Sequence, residues 1–201
     1  MEIKSVSQLR DIYGFPNQRA KDKVLNVLDK HAKHFIKSSP FVVISSVNLS
    51  GKMDVSPRGG ESGFVYISGD RQLIIPDYKG NNRIDSLTNI IETGHIGILF
   101  LIPGIDETLR INGKATISTS DETLRFFSTE PKLPISCIVV SIEEVFLHCA
   151  KAFMRSKLWD IDSQFNPDQF PSMGEMLKDQ LSSGGKPESR VEMIERYQKE
   201  I

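Results

Sequence analysis

Two short segments of this chain gather the residue types that hold a phosphorylated ligand. The first is Asp54-Val-Ser-Pro-Arg-Gly-Gly60. Arg58 supplies a planar, permanently charged donor group, and Gly59 and Gly60 let backbone approach a flat or phosphorylated molecule. The second is Ile75-Pro-Asp-Tyr-Lys-Gly-Asn-Asn-Arg83. Lys79 and Arg83 bring fixed charge, Asn81 and Asn82 bring amide donors, and a helix-like pattern begins immediately afterwards. A helix start adds backbone N–H groups and the positive end of the helix dipole. Each segment also has a plainer reading, as a Pro/Gly turn between strands and as an Asn-capped polar turn. A third group, Lys151, Arg155, Ser156 and Trp159, is spaced to share one helix face, where two cations, a hydroxyl and an indole could grip a phosphate and a ring. Its plainer reading is a solvated basic face with a packed tryptophan.

Other chemistries find little support. The chain has no GxxxxGK[ST] phosphate loop and no GxSxG nucleophile elbow. His31 and His34 stand three apart on a helical pattern, but no carboxylate or cysteine joins them at metal-ligand spacing. His95 and His148 flank strand-like runs. Cys137 and Cys149 are too far apart for a redox CxxC motif and read as buried free thiols of a reducing compartment.

The 201 residues are 39% hydrophobic and 25% charged, enough for one core-forming domain, and the net charge of -1 carries no basic field for nucleic acid. The longest apolar run, Ile96 to Pro103, is strand-length and far short of a membrane span. The first residues lack an apolar signal core, so the expected setting is cytoplasmic.

The elements that must position these residues follow from periodicity. Residues 1–39 read as helical, with Val24, Leu25, Leu28, Ala32, Phe35 and Ile36 on one face of a helix over residues 22–36. From Pro40 to Cys149 the pattern is β: strands near 41–49, 53–56, 64–67, 72–75, 95–102, 108–119 and 135–147. Short helices interrupt it at 83–93, stopped by Gly94, and at 121–127. Gly113 marks a bulge or a close approach of another backbone. Six or seven strands with only two helices between them suit a small antiparallel barrel, not a doubly wound parallel sheet. Residues 150–201 form a helical tail, with a flexible Ser182–Pro187 link before a last helix at 188–199, and no second domain is expected.

The order Asp54-x-Ser-Pro-Arg-Gly59, then Ile75-Pro-Asp-Tyr-Lys-Gly-Asn-Asn-Arg83 running into Ser86-Leu-x-Asn89, then Leu109-Arg-Ile-Asn-Gly-Lys-Ala115, resembles the pyridoxamine 5'-phosphate oxidase-like family of FMN-binding split barrels over about residues 35–160. The segment Cys149–Trp159 is similar to an uncharacterised branch of it. The resemblance implies a mainly β fold with peripheral helices: a six-stranded antiparallel split β-barrel, flanked by N-terminal and C-terminal helices, that forms a homodimer with FMN at the subunit interface. It places Arg58, Ser56 and Gly59 beside the flavin ring, Ile75 and Pro76 on the strand along it, and Lys79, Asn81, Asn82 and Arg83 at the phosphate. Arg110, Asn112, Lys151, Arg155, Ser156 and Trp159 would come from the partner subunit. The vitamin B6 oxidase itself carries a C-terminal aromatic strand that the tail Glu188–Ile201 lacks, so the implied substrate is another small molecule. The expected activity is an FMN-dependent oxidoreductase. A non-catalytic flavin store or sensor, a purely structural dimer, and the same barrel holding a deazaflavin or a haem (with His148 as the ligand) are the rivals.

Overall fold

A computed structural model describes residues 2–199. The chain divides into two compact units, residues 1–153 and 154–201.

The first unit is built on one antiparallel sheet. Helices α1 (Val6–Tyr13), α2 (Gln18–Asp22) and α3 (Lys30–Ser38) precede strands β1 (Phe41–Val47), β2 (Met53–Gly59), β3 (Tyr66–Ile67) and β4 (Gln72–Asp77). Helix α4 (Asp85–Thr93) leads to β5 (His95–Leu101) and β6 (Thr108–Ser118). The short α5 (Asp121–Leu124) precedes β7 (Ser136–His148), and α6 (Lys151–Ser156) follows it. The strand order is β2-β1-β5-β6-β7-β4-β3. Where the family resemblance implied six strands, the sheet has seven, because the two-residue β3 pairs with β4, and among the described residues no backbone pairing joins the edge strands β2 and β3.

Alternation decides the two faces of the sheet. In β1 and β5 every second residue is buried, so Val42, Ile44, Ile96, Ile98 and Phe100 point inward beside Leu109 and Ile111 of β6 and Val140 of β7. Ala32, Phe35 and Ile36 of α3 and Ile90 of α4 complete this core. The helix expected over residues 22–36 is broken: Leu25 exchanges both backbone hydrogen bonds with Val145, at 2.9 and 2.7 Å, and Asp29 starts a new helix by accepting from the Ala32 amide at 2.7 Å. Leu25 thus bridges to β7 and stays part-exposed, while the Leu28 amide donates to the Asp70 carbonyl at 2.8 Å.

Helix α4 is tied to the β1–β2 hairpin. Asn89 donates to the buried Ser46 hydroxyl at 3.1 Å, and Thr93 to the Val47 carbonyl at 2.8 Å. Gly94 ends the helix at φ 69°, its amide donating to Ile90.

The 11-residue β6 shifts register at Asn112/Gly113, and a Cβ on Gly113 would lie 2.1 Å from the Ser141 carbonyl oxygen. Both readings of Gly113 therefore hold, a bulge and a close backbone approach. Among the described residues no helix is long and apolar enough to cross a membrane. Cys137 is buried as expected, whereas Cys149, just past the end of β7, is exposed.

The second unit holds α7 (Met173–Leu181) and α8 (Arg190–Gln198), each opened by a Ser–Glu capping box, Ser172 with Glu175 and Ser189 with Glu192. Ser172 also donates to the Glu188 carbonyl at 3.1 Å, and Arg196 grips the Glu188 carboxylate at 2.9 Å.

Replacing Gly113 by Ala is expected to cost on the order of 3 kcal/mol, because backbone rather than a flexible side chain must give way. Urea unfolding checks this against Gly80→Ala, where a Cβ meets nothing within 4 Å.

Candidate functional site

A cavity of about 510 Å³ opens between β2, β4 and the start of α4. Its existence depends on how far the sheet winds. Four strands separate β2 from β4 in the sheet, yet Arg58 of β2 and Asp77 of β4 form an ion pair at 3.3 Å. Sheet twist and the bulge at Gly113 act in the direction needed to bring these strands face to face.

The β2 wall follows from period two. Asp54, Ser56 and Arg58 oppose Ser46, Ile44 and Val42 of β1 and share the inward face. Arg58 donates from Nη1 to the Ser56 hydroxyl and to the Pro57 carbonyl, the latter at 2.9 Å. Its Nη2 meets Asp77, and its Nε is buried with no partner among the described residues. Asp54 accepts from the Ser86 hydroxyl at 2.5 Å, which fastens the first turn of α4 to β2.

The opposite wall is Pro76-Asp77-Tyr78-Lys79-Gly80 with Ile135 and Ser136, which the Asp77–Ser136 pairing brings alongside. Burial pushes the Asp77 carboxyl above its ordinary value, outweighing the pull of Arg58. The Tyr78 hydroxyl is raised by burial and then by Glu130 and Cys137. The Cys137 thiol is pushed up to about 11, first by burial and then by Asp77.

Between the walls lies the turn into α4. Asn82 and Ile84 hold left-handed backbone, φ 61° and 49°, unusual for an asparagine and costly for a β-branched residue. Asn81 accepts from the Arg83 amide at 3.1 Å. Ile84 provides no side-chain cap, so the helix presents an uncapped positive end at the cavity wall. Asp85 sits in that first turn and holds Arg83 through two hydrogen bonds, at 3.0 and 2.8 Å.

The structure thus brings Ser56, Arg58, Gly59, Pro76, Lys79, Asn81, Asn82 and Arg83 to one cavity. Ile75 lies one residue behind the wall, fully buried in the core. Arg110 and Asn112 alternate with the buried Leu109 and Ile111 and lie on the other face of the sheet. Asn112 borders a smaller depression of about 270 Å³ with Ser45, His95 and Gly97, and donates to Glu144 at 2.9 Å. The shared helix face expected for Lys151, Arg155, Ser156 and Trp159 does not form: α6 ends at Ser156, and Lys157 turns the chain at φ 50°, ahead of Trp159. Lys151 belongs to the first unit, which runs to Phe153, and Arg155, Ser156 and Trp159 belong to the second.

Sequence reasoning passed over Asp54, Asp77, Asp85 and Ser86 as lining residues. The first could have been found from its period-two spacing to Ser56 and Arg58. Ile135 and Ser136 carry no local signal, because only strand pairing brings them to the cavity.

The profile of the family described as pyridoxamine 5'-phosphate oxidase matches residues 28–149. Among solved structures, a single-substitution variant of HupZ from Group A Streptococcus is 17% identical, covering 60% of this chain and 98% of its own, with a TM-score of 0.51. HupZ itself is 19% identical over 60% and 93% of the two chains, at 0.49. A candidate pyridoxamine 5'-phosphate oxidase from Lactobacillus delbrueckii is 18% identical over 61% and 95%, at 0.48. At these identities the likeness speaks to fold alone. No curated protein matches the chain.

The raised Asp77 fixes a sign. A carboxyl whose folded pKa exceeds its unfolded value adds stability below the unfolded pKa and loses it as pH rises through the folded one. Relative to wild type, Asp77→Asn should therefore gain stability between about pH 4 and pH 7. Denaturant midpoints at the two pH values test this, and a difference that stays constant would contradict it.

Proposed function

The chain belongs to the pyridoxamine 5'-phosphate oxidase family over residues 28–149, and from that premise we propose that it is a homodimeric FMN-binding oxidoreductase acting on a small molecule. The observation that carries the reading is the meeting of the Arg58 strand segment, the cationic Lys79–Arg83 turn and an uncapped helix start at one cavity. The residues present fit the cofactor. The volume lies within the range of small-molecule sites, and the cavity joins a cationic turn for a phosphate to a strand wall of Ser56, Arg58, Gly59 and Pro76 for a planar ring. Bound flavin would supply the electron transfer that no side chain here can.

The chain's own residues would bind and orient. Lys79, Asn81, Asn82 and Arg83 would hold the phosphate, with the first-turn amides of α4 behind them. Arg58, braced by Ser56 and Asp77, would present a fixed positive group to a reduced ring. Ile75 would serve from behind, by setting the position of Pro76.

The homodimer and the split barrel belong to the same proposal. On this reading the wound sheet with Arg58 facing Asp77 would be half of the split-barrel geometry. Its outer face exposes Phe41, Met53 and Val55 beside the half-buried Val43, Leu99 and Leu101, an apolar surface suited to a second copy. Asn112 stands on that face and would reach a second copy's ligand.

The absorption spectrum of the purified protein, with mass identification of any released chromophore, tests the reading. Flavin bands and FMN are expected. Lys79→Ala should weaken FMN binding about tenfold, the scale of one charge-assisted hydrogen bond. Asp85→Asn should tighten it, because Arg83 is released and a negative charge leaves the helix start. Colourless protein that binds no added FMN would overturn the proposal. Oxidation of a reduced nicotinamide by the loaded protein separates an oxidoreductase from a passive binder.

A further inference from the structure

At the β6–β7 end of the outer sheet face, four side chains from three segments converge. Arg110 of β6 sets its guanidinium carbon 4.0 Å from the ring centre of Phe146, its cross-strand neighbour on β7. Lys23, just past α2, places Nζ 5.4 Å from the same ring and donates to the Leu147 carbonyl at 3.0 Å. The His148 ring tilts against Phe146 at 5.0 Å. The Leu25–Val145 bridge, two residues on, fixes the segment that carries Lys23.

This arrangement is positive and unbalanced. Neither Arg110 nor Lys23 has a carboxylate partner among the described residues. Glu144, next along the same strand face, is taken up by Asn112 at 2.9 Å. The Arg110 Nε is buried without a partner among the described residues. Stacking on Phe146 holds the guanidinium plane in place, and a fixed fork is suited to the two oxygens of an oxyanion.

We propose that Lys23, Arg110 and His148, braced by Phe146, form a second ligand site that binds the carboxylate or phosphate group of a small substrate. The site itself stands on a single chain; only the word substrate rests on the flavoprotein reading. The field there has a visible effect, since the His148 imidazole is pushed below its ordinary value by burial and then by Arg110 and Lys23. An anion seated between these cations would cancel part of that field and lift His148 back, so binding strengthens as pH falls through its titration.

The test follows the His148 imidazole resonances of the full-length protein by NMR while sodium phosphate or sodium benzoate is added at constant ionic strength. A saturable shift with an upward move of the His148 titration is expected with at least one anion, and which one distinguishes a phosphate ester from a carboxylate. Lys23→Gln and Arg110→Gln should each weaken it about tenfold, while Lys79→Gln in the cavity leaves it unchanged. No saturable shift, or a shift indifferent to Lys23→Gln, would overturn the site. The second outcome decides even where Arg110→Gln disturbs folding, because Lys23 is exposed on a surface segment. FMN titration of the same samples is read separately: anion binding without flavin binding removes the flavoprotein reading and leaves this site standing.

Discussion

The contact between Arg58 and Asp77 is possible only because the sheet winds through the four strands between them. Every feature of the cavity depends on that winding. It sets Ser56 and Gly59 opposite Pro76, and it leaves room for the start of α4 between the two walls. The pair itself is a poor source of stability. Burial raises Asp77 despite its cationic neighbour, so desolvation outweighs the attraction felt by the carboxylate. Its value lies in orientation, because Arg58 is held by Ser56 and Pro57 on one side and by Asp77 on the other.

The cavity is electrostatically satisfied by the chain itself. Asp77 answers Arg58, Asp85 answers Arg83, and Asp54 engages the Ser86 hydroxyl. An incoming anion must therefore compete with carboxylates already in place, and the exposed Lys79 meets it on easier terms than Arg83. The two left-handed residues, Asn82 and Ile84, show where the backbone departs from its local preference to turn from β4 into α4. Strain of that kind persists only where surrounding structure holds it, and Ser86–Asp54 and Asn89–Ser46 are the bonds that hold this helix start.

The same alternation that builds the core also separates two chemistries. Inward positions of β2 feed the cavity. Outward positions of β6 and β7 carry Arg110, Asn112, Phe146 and His148, with Lys23 joining them through the Leu25–Val145 bridge. One sheet thus presents cationic groups on both faces, and a one-residue change in register would exchange them for core residues.

Much of this architecture was legible in the chain. Alternation in residues 41–47 and 95–101 announced half-buried strands, Gly94 announced a helix end, and Gly113 a crowded bulge. The residue types in 56–59 and 79–83 marked the cavity's two cationic segments, the first of which proved to be the end of β2 and not a turn. What the sequence could not carry was anything set by distant pairing. The break before α3 depends on Val145, more than a hundred positions away, so helical periodicity over residues 22–36 overran it. The end of α6 at Ser156 depends on a left-handed Lys157 that no propensity announces, and with it went the helix face drawn through Trp159. Ile135 and Ser136 reach the cavity only through the β4–β7 ladder. Local order is written in side-chain shape and period, which neighbours in sequence suffice to express. Which carboxylate faces which cation depends on how far the sheet winds, and only the folded chain decides that.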